Sequence, residues 1–290
     1  MTNTSQSFRD KWERNQDHTF TETSRVGSDI YQWILTRNGF ADNRALTRFL
    51  AGKSRILDAG CGNGRVTNLL QQYAPASSRI VGIDLVAADV ARANLAHLPN
   101  VEVRPGNLME PLGDLGGFDF IYCQEVLHHT ENPRQAFLNL CGILNPGGDI
   151  AVYLYKQKAP VREFVDDYVR DRISTLPYQD AMKAAAQITE LGKRLHELDI
   201  EFDAPAVDVL EIKEGRYTIQ RFLYHFFMKC FWNPDLSQQA NEVVNYDWYH
   251  PQLASRHTLP EALGWFEEAG LAVRHQCVDF YGITVRGQKA

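Results

Sequence analysis

Residues 54–64 read Ser-Arg-Ile-Leu-Asp-Ala-Gly-Cys-Gly-Asn-Gly, a short apolar run followed by a loop with three glycines. The run predicts a buried β-strand, and the pattern from Arg65 to Tyr73 predicts the helix after it. Glycine lets the backbone turn sharply and approach a ligand, and a helix N-terminus attracts polar ligand groups. A strand, this loop and a helix in that order therefore predict a ligand site.

Further apolar runs follow the loop and alternate with helical patterns. They predict strands at 79–85, 101–104, 118–123 and 149–155, with helices at 87–96 and 133–142. Such alternation is typical of parallel strands covered by helices on both faces.

The C-terminal part continues with a helix and two more strands. Thr258 and Glu261 form a capping-box start, and Gly270 ends that helix. Runs at 271–277 and 280–286 are joined too tightly for a crossover and must pair antiparallel. The fold class is therefore predicted to be α/β, with a Rossmann-like, doubly wound, seven-stranded sheet and an antiparallel C-terminal strand.

An acidic residue, Asp84, stands 24 positions after Gly60, at the tip of the second predicted strand. A carboxylate there can accept hydrogen bonds from both hydroxyls of a ribose. The dinucleotide pattern GxGxxG would need a glycine at position 65, where this chain has Arg65. The spacing GxGxG has no demand to hold a pyrophosphate, so it favours a nucleoside cofactor such as S-adenosylmethionine.

Five segments together resemble the class I S-adenosylmethionine-dependent methyltransferases: ILDAGCGNG, VGIDL, GNL, FDFIYCQEVLHHT and LNPGGDIAVYLY. The resemblance covers residues 54–155 and 259–287, including the terminal hairpin. It implies a methyltransferase that uses S-adenosylmethionine and releases S-adenosylhomocysteine. It leaves the methyl acceptor open, because this family methylates very different molecules.

The resemblance also implies residue roles around the cofactor. Asp84 would bind the ribose, Leu85 would pack on the adenine, and Gln124 would border the sulfonium. At Asn107 the family often has Asp facing the adenine amine, so here the amide oxygen would accept that bond. The implied cofactor-binding set is Asp58, Gly60, Cys61, Gly62, Asp84, Leu85, Asn107, Leu108 and Gln124.

Two histidines after the fourth predicted strand are candidates for catalysis. An oxygen or nitrogen acceptor must lose a proton during methyl transfer, which requires a nearby base. His128 and His129 follow the strand at the edge where open sheets bind ligands, and imidazole is a suitable base near neutral pH. Alternatively, either ring only shapes the pocket or caps a loop.

Strand–helix alternation stops between residues 156 and 258, so this segment is predicted to be a helical substrate lid inserted after strand five. Its first helix is predicted to carry an apolar face of Val161, Phe164, Val165, Tyr168 and Val169. Further helices are expected at 180–198 and 217–232, before an irregular stretch at 245–251. Residues 1–53 are predicted to form a helical cap, and 54–155 with 259–290 the cofactor domain. The candidate acceptor-binding residues are Tyr155, Lys156, Arg162, Arg170, Trp248, Tyr249, His250 and Arg256.

Composition narrows the function classes. The net charge is −6 without a basic block, which opposes nucleic-acid binding. The five cysteines show no metal or disulfide spacing, which predicts reduced thiols and no metal site. The polar start and the short apolar run at 222–232 predict a cytoplasmic protein without a membrane partner. Monomer and homodimer both stay open.

The function predicted first is methyl transfer to an oxygen or nitrogen of a small molecule. Aromatic residues beside Arg and His suit a polar acceptor with a flat or anionic part, such as a sugar or another natural product. One alternative is a catalytically inactive module that binds S-adenosylmethionine. The other is an NAD(P)-dependent oxidoreductase, which Arg65 opposes.

Overall fold

A computed structural model describes residues 2–290 of the chain. The strands in this part are β1 (Arg55–Ala59), β2 (Arg79–Asp84), β3 (Val101–Pro105), β4 (Phe118–Cys123), β5 (Leu144–Tyr155), β6 (Glu201–Ala204), β7 (Gly215–Thr218), β8 (Leu271–Val278) and β9 (Gly282–Lys289). The α-helices are α1 (Asn3–Arg14), α2 (Phe20–Ser24), α3 (Asp29–Arg37), α4 (Asn43–Leu50), α5 (Arg65–Tyr73), α6 (Ala88–Leu95), α7 (Pro133–Gly142), α8 (Pro160–Ile173), α9 (Tyr178–Glu197), α10 (Ile219–Phe226), α11 (Gln238–Tyr249) and α12 (Leu259–Glu268).

Seven strands form one sheet in the order β3-β2-β1-β4-β5-β9-β8. Strands β1 to β5 are parallel, whereas β9 pairs antiparallel with both β5 and β8. In β1, an interior strand, Leu57 pairs with Val81 of β2 on one side and Ile121 of β4 on the other. The predicted seven-stranded, Rossmann-like α/β fold with its terminal hairpin is confirmed.

The chain divides into two compact units. The sheet unit contains residues 12–156 and 253–290, and the helical unit contains the described residues 2–11 and 157–252. These bounds differ from the predicted 1–53, 54–155 and 156–258. Within the sheet unit, Ile34 and Leu50 of the N-terminal helices pack in the same apolar cluster as Ile56 and Phe120 of the sheet.

Helix α8 buries a different face from the one predicted. Of the predicted apolar face, Phe164 is 79% exposed and Tyr168 is 57% exposed, whereas the three valines of that face are only half-buried. The buried side carries Arg162, Asp166 and Arg170. Asp166 holds this charged face inside the unit by accepting hydrogen bonds from its neighbours, as described below.

Two later predictions for the helical unit are also wrong. Residues 217–232 do not form one helix, because α10 ends at Phe226. The N–H of Lys229 then donates to Asp166 Oδ1, which draws the chain out of the helical path. Residues 245–249 are the end of helix α11 rather than an irregular stretch. Asn245 on this helix donates to Thr189 of α9 at 2.8 Å, which joins the two helices.

No α-helix in residues 2–290 combines the length and the apolar character that crossing a bilayer requires.

Candidate active site

The glycine loop between β1 and α5 is packed so closely that a side chain larger than glycine would clash in it. Gly60 has φ +81°, and a Cβ built there would lie 2.3 Å from Val126 Cγ2. The N–H groups of Gly60 and Cys61 both donate to the carbonyl oxygen of Ile83, at 2.8 and 2.9 Å. The loop is thereby fixed against the end of β2, at the carboxyl edge where open sheets bind ligands.

Asp84 lies at this edge and fastens three backbone groups. Its Oδ1 accepts hydrogen bonds from the N–H groups of Val86 and Ala87, at 2.9 and 2.8 Å, and thereby holds the chain leading into α6. Its Oδ2 accepts from the N–H of Gly62 at 2.9 Å. A carboxylate can accept about four hydrogen bonds, so Oδ2 retains capacity for one ribose hydroxyl. The sequence-based prediction assigned both hydroxyls to Asp84.

Asp58 lies at the base of the loop and is almost fully buried. Thr67 donates to its Oδ2 at 2.6 Å. Burial raises the pKa of Asp58 to about 6, although the Thr67 hydrogen bond and the charge of Arg65 act in the opposite direction. The same environment raises the pKa of the Cys61 thiol, chiefly through burial, so this thiol is neutral at physiological pH.

Gln124 follows β4 and ends a short chain of polar groups. Asn38 Nδ2 donates to the Tyr122 hydroxyl at 3.2 Å, and that hydroxyl donates to Gln124 Oε1. The Nε2 atom of Gln124 is buried and has no hydrogen-bond partner in residues 2–290. A buried N–H group without an acceptor costs about 1–3 kcal/mol, so this atom is suited to meet an acceptor on a ligand.

The three remaining residues predicted to lie near the adenine differ in how accessible their side chains are. Leu85 is 54% exposed, which leaves its side chain accessible to a flat ring. Asn107 instead organises its own turn: its Oδ1 accepts from the N–H of Met109 at 3.0 Å, and its Nδ2 donates to Glu110. The Leu108 side chain is buried in the apolar cluster beneath the sheet edge. A cofactor contact from Leu108 would therefore have to come from its backbone.

The two candidate bases lie in different surroundings. His128 is fully buried, stacks on Tyr155 with ring centroids 3.6 Å apart, and accepts the N–H of Tyr155 at its Nδ1. The Nδ1 of His129 lies 2.6 Å from the carbonyl oxygen of Leu253. Because a carbonyl can only accept, this bond places the proton on Nδ1 of His129 and leaves a lone pair on Nε2.

Comparison with known proteins agrees with this architecture: residues 57–152 match the model of a family described as methyltransferase domain. This part of the chain is a class I, Rossmann-like methyltransferase domain. Over 141 residues, 27% are identical to trans-aconitate 2-methyltransferase of Deinococcus radiodurans, a match that covers 49% of this chain and 48% of that protein. Over 137 residues, 31% are identical to ubiquinone biosynthesis O-methyltransferase of Hahella chejuensis, covering 46% and 55%. The chain thus spans about half the length of these curated relatives.

A solved structure also shares the fold of the methyltransferase domain. It is the N-methyltransferase NodS from Bradyrhizobium japonicum WM9, in complex with S-adenosylhomocysteine. The TM-score is 0.51, with 15% identical residues and 99% of each chain covered. At this identity the likeness shows the fold alone.

Five of the eight predicted acceptor-binding residues lie in the helical unit, where they make internal contacts. Arg162 pairs with Asp166, whereas Arg170 pairs with Asp167 and also donates through Nη2 to the carbonyl oxygen of Trp248 at 2.9 Å. Tyr249 donates to Asp166 at 2.8 Å. His250 bonds through both ring nitrogens, to Ser7 and to the Leu176 carbonyl, and burial lowers its pKa. Their predicted role in binding the acceptor stays a prediction.

The other three belong to the sheet unit beside the methyltransferase domain. Tyr155 ends β5 and stacks on His128. Lys156 forms a parallel backbone bridge with His257, and Arg256 donates to the carbonyl oxygen of Ala254 at 3.2 Å. The structure thus gives each of the three a place near the end of β5 or in the segment before α12.

Two features of the site were missed from the sequence. Arg65 donates to Glu125 at 3.1 Å, and Glu125 has φ +59°, a left-handed conformation that costs energy outside glycine. Trp12, far away in sequence, lies on the glycine loop. The only signal for Arg65 was its position in place of the third glycine of the dinucleotide pattern, and nothing near Trp12 indicated its position.

Proposed function

We propose that the protein transfers a methyl group from S-adenosylmethionine to an oxygen or nitrogen atom of a small-molecule acceptor. The observation that carries this proposal is Asp84, whose Oδ2 holds the N–H of Gly62 and can still accept a ribose hydroxyl. The GxGxG loop around Gly62 suits a nucleoside without a pyrophosphate. Bound S-adenosylmethionine would supply the methyl group on a positively charged sulfur.

The residues of the chain would bind and orient the reactants. Asp84 would accept from the ribose, and the exposed side chain of Leu85 would cover the adenine. The buried Nε2 of Gln124 would donate to a ligand oxygen. Because the sulfur of a sulfonium is already a good leaving group, aligning the methyl acceptor and excluding water would supply most of the rate enhancement.

His129 fits the role of general base better than His128. The hydrogen bond from its Nδ1 to the Leu253 carbonyl leaves the lone pair on Nε2. That lone pair can take the proton that the substrate's oxygen or nitrogen loses during methyl transfer. His128 already uses its Nδ1 for the backbone of Tyr155 and is fully buried. The His128 ring would therefore shape the pocket rather than move a proton.

The acceptor class of the relatives is consistent with this proposal. One curated relative is named as a methyltransferase of trans-aconitate, and the other as an O-methyltransferase of ubiquinone biosynthesis. We infer a small-molecule acceptor for this chain as well. Sugars, carboxylates and other natural products with a flat or anionic part are the first candidates.

Binding of S-adenosylhomocysteine, measured by calorimetry, tests the cofactor assignment. Asp84→Ala removes a charged hydrogen-bond acceptor worth about 1.5–3 kcal/mol, so the dissociation constant should rise about ten- to a hundredfold. The matched control is Asp89→Ala on α6, whose carboxylate is 95% exposed and which should bind like the wild type. Equal affinity for both variants and the wild type would refute the assignment.

Mass spectrometry of S-adenosylhomocysteine formed from S-adenosylmethionine tests the catalytic proposal. The purified protein is incubated with panels of carboxylic acids, phenols, sugars and amines. Turnover that depends on one panel and falls strongly in His129→Ala, with cofactor affinity unchanged, supports the proposal. Cofactor binding without turnover on any panel would favour an inactive cofactor-binding module.

A further inference from the structure

Trp12 lies directly on the glycine loop although it is 50 positions away from Gly62 in sequence. A Cβ built on Gly62 would lie 2.7 Å from Cζ2 and 2.9 Å from Cε2 of the indole. The side chain of Trp12 is 8% exposed. Gly62 also has φ +56°, so both its conformation and its contact with Trp12 exclude larger residues.

The segment that follows Trp12 is fastened to the loop by side-chain amides. Asn63, which is fully buried, donates through Nδ2 to the carbonyl oxygens of Gln16 and His18, at 3.1 and 3.0 Å. Asn94 donates to the carbonyl oxygen of Gln16 at 2.9 Å and to that of Asn63 at 3.0 Å. The position of Trp12 is therefore tied to the loop itself.

Chemistry relates this position to one part of the cofactor. Gly62 donates to the same Oδ2 of Asp84 that can accept a ribose hydroxyl. The sulfur of S-adenosylmethionine is attached to the ribose through a single methylene group. Trp12 thus contacts the residue that shares Asp84 Oδ2 with the proposed ribose. The sulfur is positively charged in S-adenosylmethionine and neutral in S-adenosylhomocysteine, and indole is the most effective side chain for binding a cation through its face.

We propose that Trp12 contacts the cofactor and that its indole faces the sulfonium, so that the site binds S-adenosylmethionine in preference to S-adenosylhomocysteine. This inference rests on the proposed function, because it requires the adenosyl cofactor in the loop. It goes beyond that proposal by assigning a residue outside the cofactor-binding set and a preference between substrate and product. A weaker hold on the neutral product would favour its release after transfer.

Calorimetric titration of the full-length protein with each of the two compounds tests the inference. Trp12→Leu removes the aromatic face, so the dissociation constant of S-adenosylmethionine should rise about fivefold or more beyond that of S-adenosylhomocysteine. Trp12→Phe keeps a weaker aromatic face and should retain part of the preference. Equal weakening of both compounds, or no weakening, would overturn the inference.

The control is Trp265→Leu, which removes a similarly buried indole from the apolar cluster around α12. It should lower the melting temperature without changing the ratio of the two dissociation constants. Because that ratio is independent of the folded fraction, loss of stability in a variant does not hide the effect. If the wild type binds neither compound, the proposed function itself fails, a result that is distinct from an unchanged ratio in Trp12→Leu.

Discussion

Each of the two units buries a carboxylate, but the surroundings of the two groups differ. In the sheet unit, Asp58 receives a hydrogen bond from the Thr67 hydroxyl, and burial raises its pKa to about 6. In the helical unit, Asp166 is fully buried and lies 3.1 Å from the guanidinium of Arg162. Asp166 accepts further hydrogen bonds from Trp248 Nε1, Tyr249 Oη and Lys229 N, at 2.9, 2.8 and 3.0 Å.

The difference distinguishes a carboxylate that holds the fold together from polar groups that can bind a ligand. The hydrogen bonds of Asp166 are all made within its own unit and hold together α8, α11 and the loop after α10. The polar groups at the sheet edge are only partly satisfied by the protein: Gln124 Nε2 has no partner in the described residues, and Asp84 can accept one more donor. Burial of a polar group is thus a weaker indicator of a ligand site than an unused hydrogen-bonding position.

The largest effect is expected for Asp166→Ala. The change leaves the charge of Arg162 buried without its carboxylate, and breaking such a pair costs about 3–5 kcal/mol. Denaturant titration should therefore show a large decrease in the free energy of unfolding. The matched control is Asp171→Ala on the same helix, which removes an exposed carboxylate and should cost about 0.5 kcal/mol or less. Similar losses for both variants would contradict the structural role of Asp166.

A smaller, pH-dependent effect is expected for Asp58. Its folded-state pKa, about 6, lies above the ordinary value of 3.8, so the folded protein binds this proton more tightly than the unfolded chain does. Its contribution is fully present below pH 4 and is lost as the pH rises through 6, which amounts to about 3 kcal/mol.

Comparison with Asp58→Asn isolates this contribution, because the amide does not titrate. The wild type should lose stability relative to the variant between pH 4 and pH 6, when both are unfolded in urea at each pH. Parallel stability curves for the two proteins would show that the carboxyl group of Asp58 is not desolvated as described.

The smallest effect is expected for Phe164→Ala. The side chain is 79% exposed, so its loss should change the free energy of unfolding by about 0.5 kcal/mol or less. Phe226→Ala, on α10 of the same unit, removes a buried ring and should cost about 3–5 kcal/mol. If Phe164→Ala were as costly as Phe226→Ala, the apolar face predicted for α8 would be the buried one after all.

Much of the sheet unit could be predicted from sequence because both faces of a parallel sheet are covered. Its strands are therefore short apolar runs such as Ile80–Ile83, which are easily recognised. The terminal hairpin followed from the short spacing between its strands, and the glycine loop and Asp84 from their positions after strands. These elements depend on local pattern alone.

The helical unit was harder to predict from the sequence because its helices do not bury their most apolar side. Helix α9 buries small residues, among them Ala185, Thr189 and Gly192, whereas Leu191 and Leu198 are exposed. A Cβ on Gly192 would lie 2.4 Å from the carbonyl oxygen of Cys230, so close packing selects small size there. Trp12 was missed for a different reason: it meets Gly62, which is distant in sequence. The side-chain amides of Asn63 and Asn94 hold the segment after Trp12 against the loop, and local pattern does not reveal such bonds.

A thermal-shift titration with S-adenosylmethionine, S-adenosylhomocysteine, NADH and NADPH tests the central claim most directly, namely that the glycine loop and Asp84 form an adenosyl cofactor site. At about a hundred times its dissociation constant, a ligand adds about 2.7 kcal/mol to the stability of the folded state. The account predicts a clear rise in melting temperature with the two adenosyl compounds and none with the nicotinamides. Stabilisation by NADH or NADPH, or by none of the four compounds, would contradict it.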